Sequence, residues 1–233
     1  MAIKLYDLAA AEDDRRFSPY CWRVKMALKH KGLEFETIPW RFTETDVIKE
    51  HGSSTVPVII DGGQAISDSW AIAEYLEQAY PSRPALFEGT LSRSLTDFFH
   101  QWAVKSLHVP LLKVIVLDLF GKLHEKDRTY FRESRQKRFG MTLERYGADP
   151  KGALMTFRGA LDPVRPVLVQ NPFVCGNGPG FADYILFGTF QWARSVSPIR
   201  LLEPDDPVYA WRERLLDLHD GYAAKAKGYP VWT

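Results

Sequence analysis

The hydrophobic period of this chain changes once, at Tyr80-Pro81-Ser82-Arg83-Pro84, and this change limits the possible folds more than any other feature. Before it, short apolar strands alternate with amphipathic helical stretches, whereas nearly every later segment has a helical period. The prolines end the preceding helix and favour a turn. The chain has 233 residues, enough for two modest cores. We therefore predict an α/β domain over residues 1–80, a linker over 81–90 and an all-helical domain over 91–233.

The α/β part opens with a strand, a helix and a second strand. Residues 3–8 are mostly apolar, and residues 19–31 have one apolar helical face. Residues 33–38 alternate until Ile38 breaks the pattern, and Pro39 ends the strand or marks a sheet edge. This order predicts a parallel strand pair joined by a crossover helix. A weak helix, two strands joined by a glycine turn, and a further helix are predicted at 43–50, 56–60, 64–67 and 70–79.

Helical segments follow the linker. The longest, 91–119, contains Pro110 and should kink there, because proline removes a helical hydrogen bond. The segment 153–170 should be interrupted at Pro163 and Pro166 for the same reason. The remaining helices are predicted at 126–147, 181–196 and 208–223.

Charge and composition argue against several classes of protein. Thirty basic residues against 29 acidic ones give a net charge of +1, so no global field favours nucleic acid or an anionic membrane. No apolar run approaches the ~20 residues that cross a bilayer, and the sequence enters its first strand without a leader, so we expect a cytoplasmic protein. Cys21 and Cys175 are too few and too far apart for a disulfide framework or a zinc site. The six histidines show no paired ligand spacing, so no metal site is predicted.

The turn between the first strand and the first helix is the first candidate for chemistry. Ser18 stands at the natural N-cap position and Pro19 at the first helical position. The Ser18 hydroxyl can cap the helix, or it can face outward toward a ligand. Capping is the usual role of such a pair, so this turn alone does not decide between the two interpretations.

A second candidate combines Val56-Pro57 with Asp68-Ser69. A cis peptide at Pro57 would turn the backbone of Val56 outward, where its N–H and C=O could pair with an extended ligand; an ordinary trans proline is the alternative. Asp68 and Ser69 open a helix whose N–H groups and positive dipole end suit a carboxylate, or they merely cap it. Together these stretches predict a slot for a peptide-like ligand, with Asp68 facing an ammonium group and Ser18 beside the middle.

These residues resemble the cytosolic glutathione transferases over essentially the whole chain. The turn Ser18-Pro19-Tyr20 followed by Trp22-Arg23-Val24 is similar to the serine-type classes, zeta and tau, and the nearest likeness is to bacterial glutathione-dependent β-etherases that cleave aryl ethers. The other stretches with this likeness are Ala27-Leu28-Lys29-His30-Lys31-Gly32, Asp68-Ser69-Trp70, Ile72-Ala73-Glu74-Tyr75-Leu76, Leu86-Phe87-Glu88-Gly89 and Phe181-Ala182-Asp183-Tyr184.

The resemblance implies a thioredoxin-like α/β N-terminal domain, an all-α C-terminal domain, glutathione as co-substrate and a homodimer. It also implies a role for each matching residue. Ser18 would hydrogen-bond the glutathione sulfur, and Val56 would pair with the cysteinyl backbone. Pro57 would be the cis-proline, and Asp68 with Ser69 would hold the γ-glutamyl group.

Two positions depart from the family pattern. Asp68 stands where Glu is commoner, which shortens the reach of the carboxylate but keeps its charge. Gly180 replaces a Ser or Thr N-cap three residues before Asp183. Glycine is an acceptable N-cap, so the helix should form, and we expect Asp183 to be structural.

The implied chemistry is activation of a thiol. An unperturbed thiol has a pKa of about 8.5, so only a small fraction is thiolate at neutral pH. The Ser18 hydroxyl and the start of the first helix could favour the thiolate, which would attack a small, apolar, aromatic electrophile. Cleavage of a β-aryl ether and glutathione-dependent isomerisation use the same thiolate. Candidate residues of the acceptor pocket are Tyr20, Phe99, Trp102 and Ile115, with Leu112 and Trp192 also near the predicted cleft.

Two alternatives from other classes remain open. Cys21 lies near the positive end of the first helix, so the chain could be a thiol–disulfide exchanger or deglutathionylase. However, Cys21 is three residues beyond Ser18 and in line with the apolar Val24 and Leu28, which favours a buried thiol. The other alternative is a non-catalytic glutathione-binding or interaction module, because fold does not determine function.

Overall fold

The fold begins with a four-stranded mixed sheet, seen in a computed structural model that describes residues 2–230. The strand order is β2-β1-β3-β4, with β1 and β2 parallel and the other neighbours antiparallel. The strands are β1 (Ile3–Leu8), β2 (Phe35–Trp40), β3 (Val58–Asp61) and β4 (Gln64–Ser67). The helices of this half are α1 (Pro19–His30), α2 (Thr45–Lys49) and α3 (Ser69–Ala79).

The remaining described chain is helical, which confirms the predicted α/β-then-all-α fold class. A π-helical turn, Ala103–Leu107, joins the first two of its helices. The helices are α4 (Gly89–Trp102), α5 (His108–Lys122), α6 (Glu125–Phe139), α7 (Leu143–Tyr146), α8 (Pro150–Ala160), α9 (Arg165–Gln170), α10 (Phe181–Val196) and α11 (Pro207–Lys225), the last with a break over residues 218–221. Within residues 2–230, no helix has both the length and the apolar character needed to span a bilayer.

The parallel pair with a crossover is confirmed, with α1 connecting β1 to β2. The second strand begins two residues later than the predicted 33–38 and runs through Pro39 to Trp40. Proline is tolerated there because β2 is an edge strand, so a missing N–H removes no bond to a further neighbour.

Two long predicted helices are divided differently in the structure. The break in 91–119 is the π-helical turn before Pro110, rather than a kink at the proline itself. The backbone stays helical through this turn into α5, and Pro110 follows it by three residues, so the widened turn accommodates the proline ring. The predicted helix 126–147 is wrong as one element, since Gly140 adopts a left-handed conformation (φ 67°) and ends α6.

Asp183 organises the start of α10 from a fully buried position. Its carboxylate accepts hydrogen bonds from the backbone N–H groups of Val174 (2.7 Å), Cys175 (3.2 Å) and Gly180 (3.1 Å), and from the indole N–H of Trp211 (2.8 Å). Glycine at the N-cap offers no side-chain acceptor, so the carboxylate supplies the bonds that tie this helix start to the preceding loop and to α11. This arrangement gives Asp183 a structural role.

The two halves of the molecule meet where α1 packs against α10. A Cβ atom placed on Gly188 of α10 would lie 2.4 Å from the carbonyl oxygen of Pro19 and 3.3 Å from Cγ of Arg23. At the other end of the contact, the His30 Nδ1 atom lies 2.7 Å from the hydroxyl of Tyr184. The helical half therefore holds the start of α1, and the Ser18 turn with it, at a defined position.

We predict that Gly188→Ala destabilises the protein by about 1–3 kcal/mol, because the new methyl group collides with backbone that cannot rotate away. Thermal and denaturant unfolding measure the change. Gly159→Ala on α8 is the matched control, since a Cβ there meets nothing within 4 Å. The control should stabilise by about 0.5–1 kcal/mol through helix propensity. Equal effects at both glycines would contradict the close approach.

Candidate active site

A cavity of about 740 Å³ lies between the ends of the strands and the helices α5 and α6. Leu8 and Trp40, the last residues of β1 and β2, form part of its wall. The structure brings together at this cavity the predicted residues Ser18, Tyr20, Val56, Pro57, Asp68 and Ser69. Positions separated by up to about fifty residues of sequence thus form one continuous surface, as a ligand site requires.

Ser18 both caps α1 and lines the cavity. Its side-chain oxygen accepts a hydrogen bond from the backbone N–H of Cys21 at 3.2 Å. This bond uses a lone pair and leaves the hydroxyl proton available for donation. The backbone N–H of Tyr20 also makes no hydrogen bond within residues 2–230. Its neighbours offer no further donor, because Pro19 has no N–H and the N–H groups of Cys21 and Trp22 already bind the side chain and the carbonyl of Ser18. The start of α1 therefore presents one hydroxyl and one backbone donor.

Val56 presents free backbone groups at the cavity wall. The Val56–Pro57 peptide bond is cis. Within the described chain, neither the N–H nor the C=O of Val56 makes an intramolecular hydrogen bond, whereas the Pro57 carbonyl accepts the N–H of Asp68 at 3.3 Å. Val56 therefore retains one donor and one acceptor that an extended peptide could bind.

Asp68 caps α3 from an unusual backbone conformation. Its φ of 74° lies in the left-handed region, which is costly for a non-glycine residue and often marks a functional position. One carboxylate oxygen, Oδ1, accepts the N–H groups of Trp70 (2.8 Å) and Ala71 (3.1 Å). The other oxygen makes no side-chain hydrogen bond within residues 2–230, and Asp68 is exposed, so it can still bind a cation. Ser69, beside it, is buried.

Cys21 is fully buried, as its register predicted. Burial raises the pKa of the Cys21 thiol far above its ordinary value, and the nearby charge of Asp7 raises it further. Cys175 is exposed, but partial desolvation by its neighbours and the nearby charge of Asp183 raise its pKa to about 12. A neutral thiol without solvent access is a poor nucleophile, which argues against thiol exchange through Cys21.

The predicted acceptor pocket needs correction at three positions. Tyr20 lines the cavity, as do Leu112 and Trp192, but Phe99, Trp102 and Ile115 do not. Phe99 and Trp102 pack on each other on α4, with ring centroids 5.0 Å apart, before the π-helical turn redirects the chain. Ile115 is fully buried in the core. A helical period shows which residues are apolar but does not show which of them face a cavity.

Two buried polar side chains beside this cavity escaped sequence reasoning. His108 lines it between the rings of Tyr20 and Trp192, each with its centroid at 5.6 Å, and burial together with the charge of Arg23 lowers the pKa of His108 to about 3. Arg23 is fully buried with no hydrogen-bond partner in the described chain, and its guanidinium lies 4.6 Å from the Tyr20 ring centroid. Burial lowers the pKa of Arg23 to about 10, so it remains a cation at neutral pH.

The part of the cavity beside α6, far from Asp68, was also not predicted from the sequence. It is formed by the aromatic residues Phe42, Tyr130 and Tyr146 together with Arg135 and Arg138 of α6. The three-residue spacing of the two arginines on one predicted helix was an available indication of a shared face. No group of three or more His, Cys, Asp or Glu side chains in residues 2–230 is arranged to hold a metal ion.

Solved structures with this fold include two fungal proteins. The glutathione S-transferase CsGST63524 of Ceriporiopsis subvermispora, solved in complex with glutathione, superposes with a TM-score of 0.77 at 25% identity, over 97% of this chain and 94% of that one. Glutathione transferase GSTFuA3 of Phanerochaete chrysosporium superposes with a TM-score of 0.76 at 28% identity, over the same shares.

Curated relatives point the same way. The chain is 32% identical over 106 residues to a zeta-class glutathione S-transferase of Euphorbia esula, an alignment that spans 43% of this chain and 47% of that protein. It is 24% identical over 210 residues to the probable glutathione S-transferase GSTU6 of Oryza sativa subsp. japonica, covering 84% and 80% of the two chains.

The two halves of the chain match the family models for the two domains of one protein family. Residues 17–79 match the N-terminal domain of glutathione S-transferase, and residues 94–221 match its C-terminal domain. The first range contains Ser18, Val56, Pro57, Asp68 and Ser69, and the second contains α10 with Gly188. The chain belongs to the glutathione S-transferase family, within the cytosolic superfamily that includes the zeta and tau classes.

Proposed function

We propose that this protein activates the thiol of glutathione at Ser18 for attack on a small, apolar, aromatic electrophile, acting in the cytoplasm where thiols are kept reduced. The observation on which this proposal rests is the pair of donors at the start of α1, the Ser18 hydroxyl and the Tyr20 N–H, next to the free backbone of Val56 at one cavity. These are the groups that a peptide with a central thiolate needs.

Glutathione would lie across the cavity wall as a short added strand. The free N–H and C=O of Val56 would pair with the cysteinyl backbone, as strands pair in a sheet. The γ-glutamyl carboxylate would accept N–H groups at the start of α3, including that of Ser69, while the unbonded oxygen of Asp68 would face the ammonium group. The sulfur would then lie beside Ser18.

Activation means stabilising the thiolate over the thiol. Lowering the thiol pKa by two units needs about 2.7 kcal/mol of preferential stabilisation. The Ser18 hydroxyl and Tyr20 N–H would donate two hydrogen bonds to sulfur, each stronger for an anion than for a neutral acceptor. The positive end of α1 and the buried, unpaired cation of Arg23 on the same helix add to the field. Ser18 is a donor here, and the nucleophile is the glutathione sulfur.

The electrophile would occupy the part of the cavity lined by Tyr20, Leu112 and Trp192. Aromatic walls favour a planar apolar substrate. For a β-aryl ether, the thiolate would form a C–S bond as the C–O bond breaks, and the phenol oxygen would leave with the electron pair. His108, with its pKa lowered to about 3, is neutral at neutral pH and adds no positive charge to this part of the cavity.

We also propose that the protein is a homodimer that pairs through α4. Leu91, Leu95 and Phe98 recur every three to four residues on this helix and are 74%, 60% and 74% exposed. A contiguous apolar stripe of this kind is uncommon on a monomer surface, and a two-fold dimer would cover it with its own copy.

Replacing Ser18 tests the activation step. Ser18→Ala removes the side-chain donor but leaves the helix dipole, so the pKa of bound glutathione should rise and conjugation at neutral pH should fall about ten-fold or more, equivalent to about 1.4 kcal/mol. Activity should recover as the pH rises, because the thiol then ionises without assistance. Thiolate absorbance in the ultraviolet, titrated in the complex, reports the shift.

Ser18→Gly separates this role from capping, because glycine is a good N-cap and costs only a few tenths of a kcal/mol. It should lose activity as Ser18→Ala does while unfolding like the wild type. Cys21→Ala should retain conjugating activity. The protein would instead be a thiol exchanger if both Ser18 variants kept wild-type conjugating activity while Cys21→Ala lost exchange with mixed disulfides.

Asp68→Asn should weaken glutathione binding by about 1–3 kcal/mol, because the amide keeps the cap and tolerates positive φ but no longer carries the charge that faces the ammonium group. Calorimetry measures the affinity. Asp149→Asn, at the N-cap of α8, is the matched control and should leave affinity unchanged. Equal affinity in Asp68→Asn and the wild type would refute the γ-glutamyl site.

The double variant Leu95→Asp/Phe98→Asp should be monomeric, because two charges placed in the apolar stripe cannot be buried against their copies. Light scattering of wild type and variant at matched concentrations gives the masses. Met155→Asp on α8, also a 74% exposed apolar side chain, should leave the mass unchanged. A monomeric wild type would disprove the dimer.

A further inference from the structure

The two ends of the active-site cavity carry opposite charge. Asp68 is the only acidic residue among those that line the cavity in the described chain. At the other end the lining residues Arg135 and Arg138 project from one side of α6. A glutathione molecule placed as proposed has its γ-glutamyl group at Asp68, which leaves the arginines for an anionic group of the second substrate or for the glycine carboxylate of glutathione.

Arg135 is a half-buried cation without a carboxylate partner. Its guanidinium packs on aromatic faces, 4.7 Å from the ring centroid of Phe131 and 5.3 Å from that of Phe42. Within residues 2–230 its only side-chain hydrogen bond goes to the hydroxyl of Ser134, at 3.1 Å. Burial lowers the pKa of Arg135 below its ordinary value. Most of its donors are therefore available to a ligand.

Other arginines of the same helix are already satisfied. Arg132 forms an ion pair with Glu144 at 2.8 Å, and Arg128 donates to backbone carbonyls of residues 121 and 123. Neither of these lines the cavity. Arg138, which does line it, is exposed and makes no ion pair within residues 2–230. Among the arginines of α6, the two without an ion pair or a backbone carbonyl partner in the described chain are thus the two that line the cavity.

We propose that the preferred electrophile bears a carboxylate or a similar anionic group, bound by Arg135 and assisted by Arg138, with its aromatic ring against Phe42, Tyr130 and Tyr146. This inference rests on the proposed activation of glutathione at Ser18, and it replaces a wholly apolar electrophile by one whose apolar aromatic ring carries an anionic group. A planar guanidinium matches a carboxylate through paired N–H···O bonds, and the aromatic faces hold it in orientation. The reacting carbon would point back toward Ser18.

The same arginines could instead hold the glycine carboxylate of glutathione, which has the same chemistry. The two sources differ in what a charge-removing variant changes. If the carboxylate belongs to the acceptor, the variant alters the choice between charged and neutral electrophiles. If it belongs to glutathione, the variant weakens glutathione binding and leaves that choice unaltered.

A matched pair of electrophiles tests the proposal: 4-chloro-3,5-dinitrobenzoate and its methyl ester. In both, sulfur forms a bond to the ring carbon and chloride leaves with the electron pair, so the pair differs chiefly in charge. We expect Arg135→Gln to lower kcat/KM for the acid about ten-fold or more, relative to its uncatalysed rate, and to leave the ester within about two-fold, the range of one lost charged contact. Arg138→Gln should have a smaller effect.

Arg132→Gln is the control, because Arg132 shares the helix but not the cavity. It should leave kcat/KM unchanged for both electrophiles. Arg135→Lys, which keeps the charge, should retain part of the preference for the acid that Arg135→Gln loses. Thermal unfolding of each variant excludes loss of the fold. Calorimetry with glutathione should give wild-type affinity for Arg135→Gln. The proposal is overturned if the ratio of kcat/KM for the acid to kcat/KM for the ester is the same in Arg135→Gln as in the wild type, whether or not glutathione binding is weakened.

Binding of unreactive analogues keeps the test independent of turnover. We expect 3,5-dinitrobenzoate to bind more tightly than its methyl ester, both to the free protein and to protein saturated with S-methylglutathione, and Arg135→Gln to abolish the difference. If no electrophile is conjugated, the proposed transferase function fails, while this binding preference still decides whether the arginines recognise an anion. Equal binding of acid and ester to the wild type overturns the proposal by itself.

Discussion

The close contact of α1 with α10 is the constraint on which the rest of the site depends. Gly188 allows the backbone of Pro19 to approach α10 to a distance that a methyl group would prevent. The start of α1 supplies the Ser18 hydroxyl and the Tyr20 N–H, so the helical half determines where these donors point. Asp183, with its bonds to surrounding backbone, fixes the start of α10 in turn. The position of these donors in the N-terminal half therefore relies on packing supplied by the C-terminal half.

A second link between the halves shapes the acceptor end. Asp127 of α6 is fully buried, and its carboxylate accepts the backbone N–H of Phe42 (3.3 Å) and both the N–H (3.0 Å) and hydroxyl (2.7 Å) of Thr43. These bonds join the segment after β2 to the helix that bears Arg135. The aromatic face of Phe42 is thereby held beside the guanidinium, and the far end of the cavity is built from both halves.

The cavity divides recognition between backbone and side chains. Where we propose that glutathione binds, most of the available hydrogen-bonding groups belong to the backbone of Tyr20, Val56 and the start of α3, and their positions follow from caps and strand ends. In the part that we propose for the acceptor, the wall consists of aromatic and basic side chains, most of them from helices and one, Phe42, from the segment after β2. A family can retain one co-substrate and change the other in this way, because side chains can be replaced without moving the backbone that binds glutathione.

Much of the fold was predictable because the relevant patterns are local. The crossover, the hairpin and the capped start of α3 each depend on a few neighbouring residues. The predicted ends of the strands and helices that form them lie within about two residues of the observed ends. Helix breaks were less predictable. The π-helical turn over Ala103–Leu107 and the left-handed Gly140 divide segments whose apolar period continues across them, so periodicity alone showed one helix where the structure has two.

The sequence by itself determined the element types and the positions of Ser18, Val56-Pro57 and Asp68-Ser69, because a cap or a proline acts within one turn of chain. Only the tertiary structure decided which side chains of the helical half reach the cavity. Arg135 and Arg138 line the cavity in the structure, whereas Phe99, Trp102 and Ile115 do not. Which side chains reach the cavity depends on the directions of the helices on both sides of the π-helical turn. It also depends on contacts between residues far apart in sequence, such as Asp127 with Thr43, which no local pattern encodes.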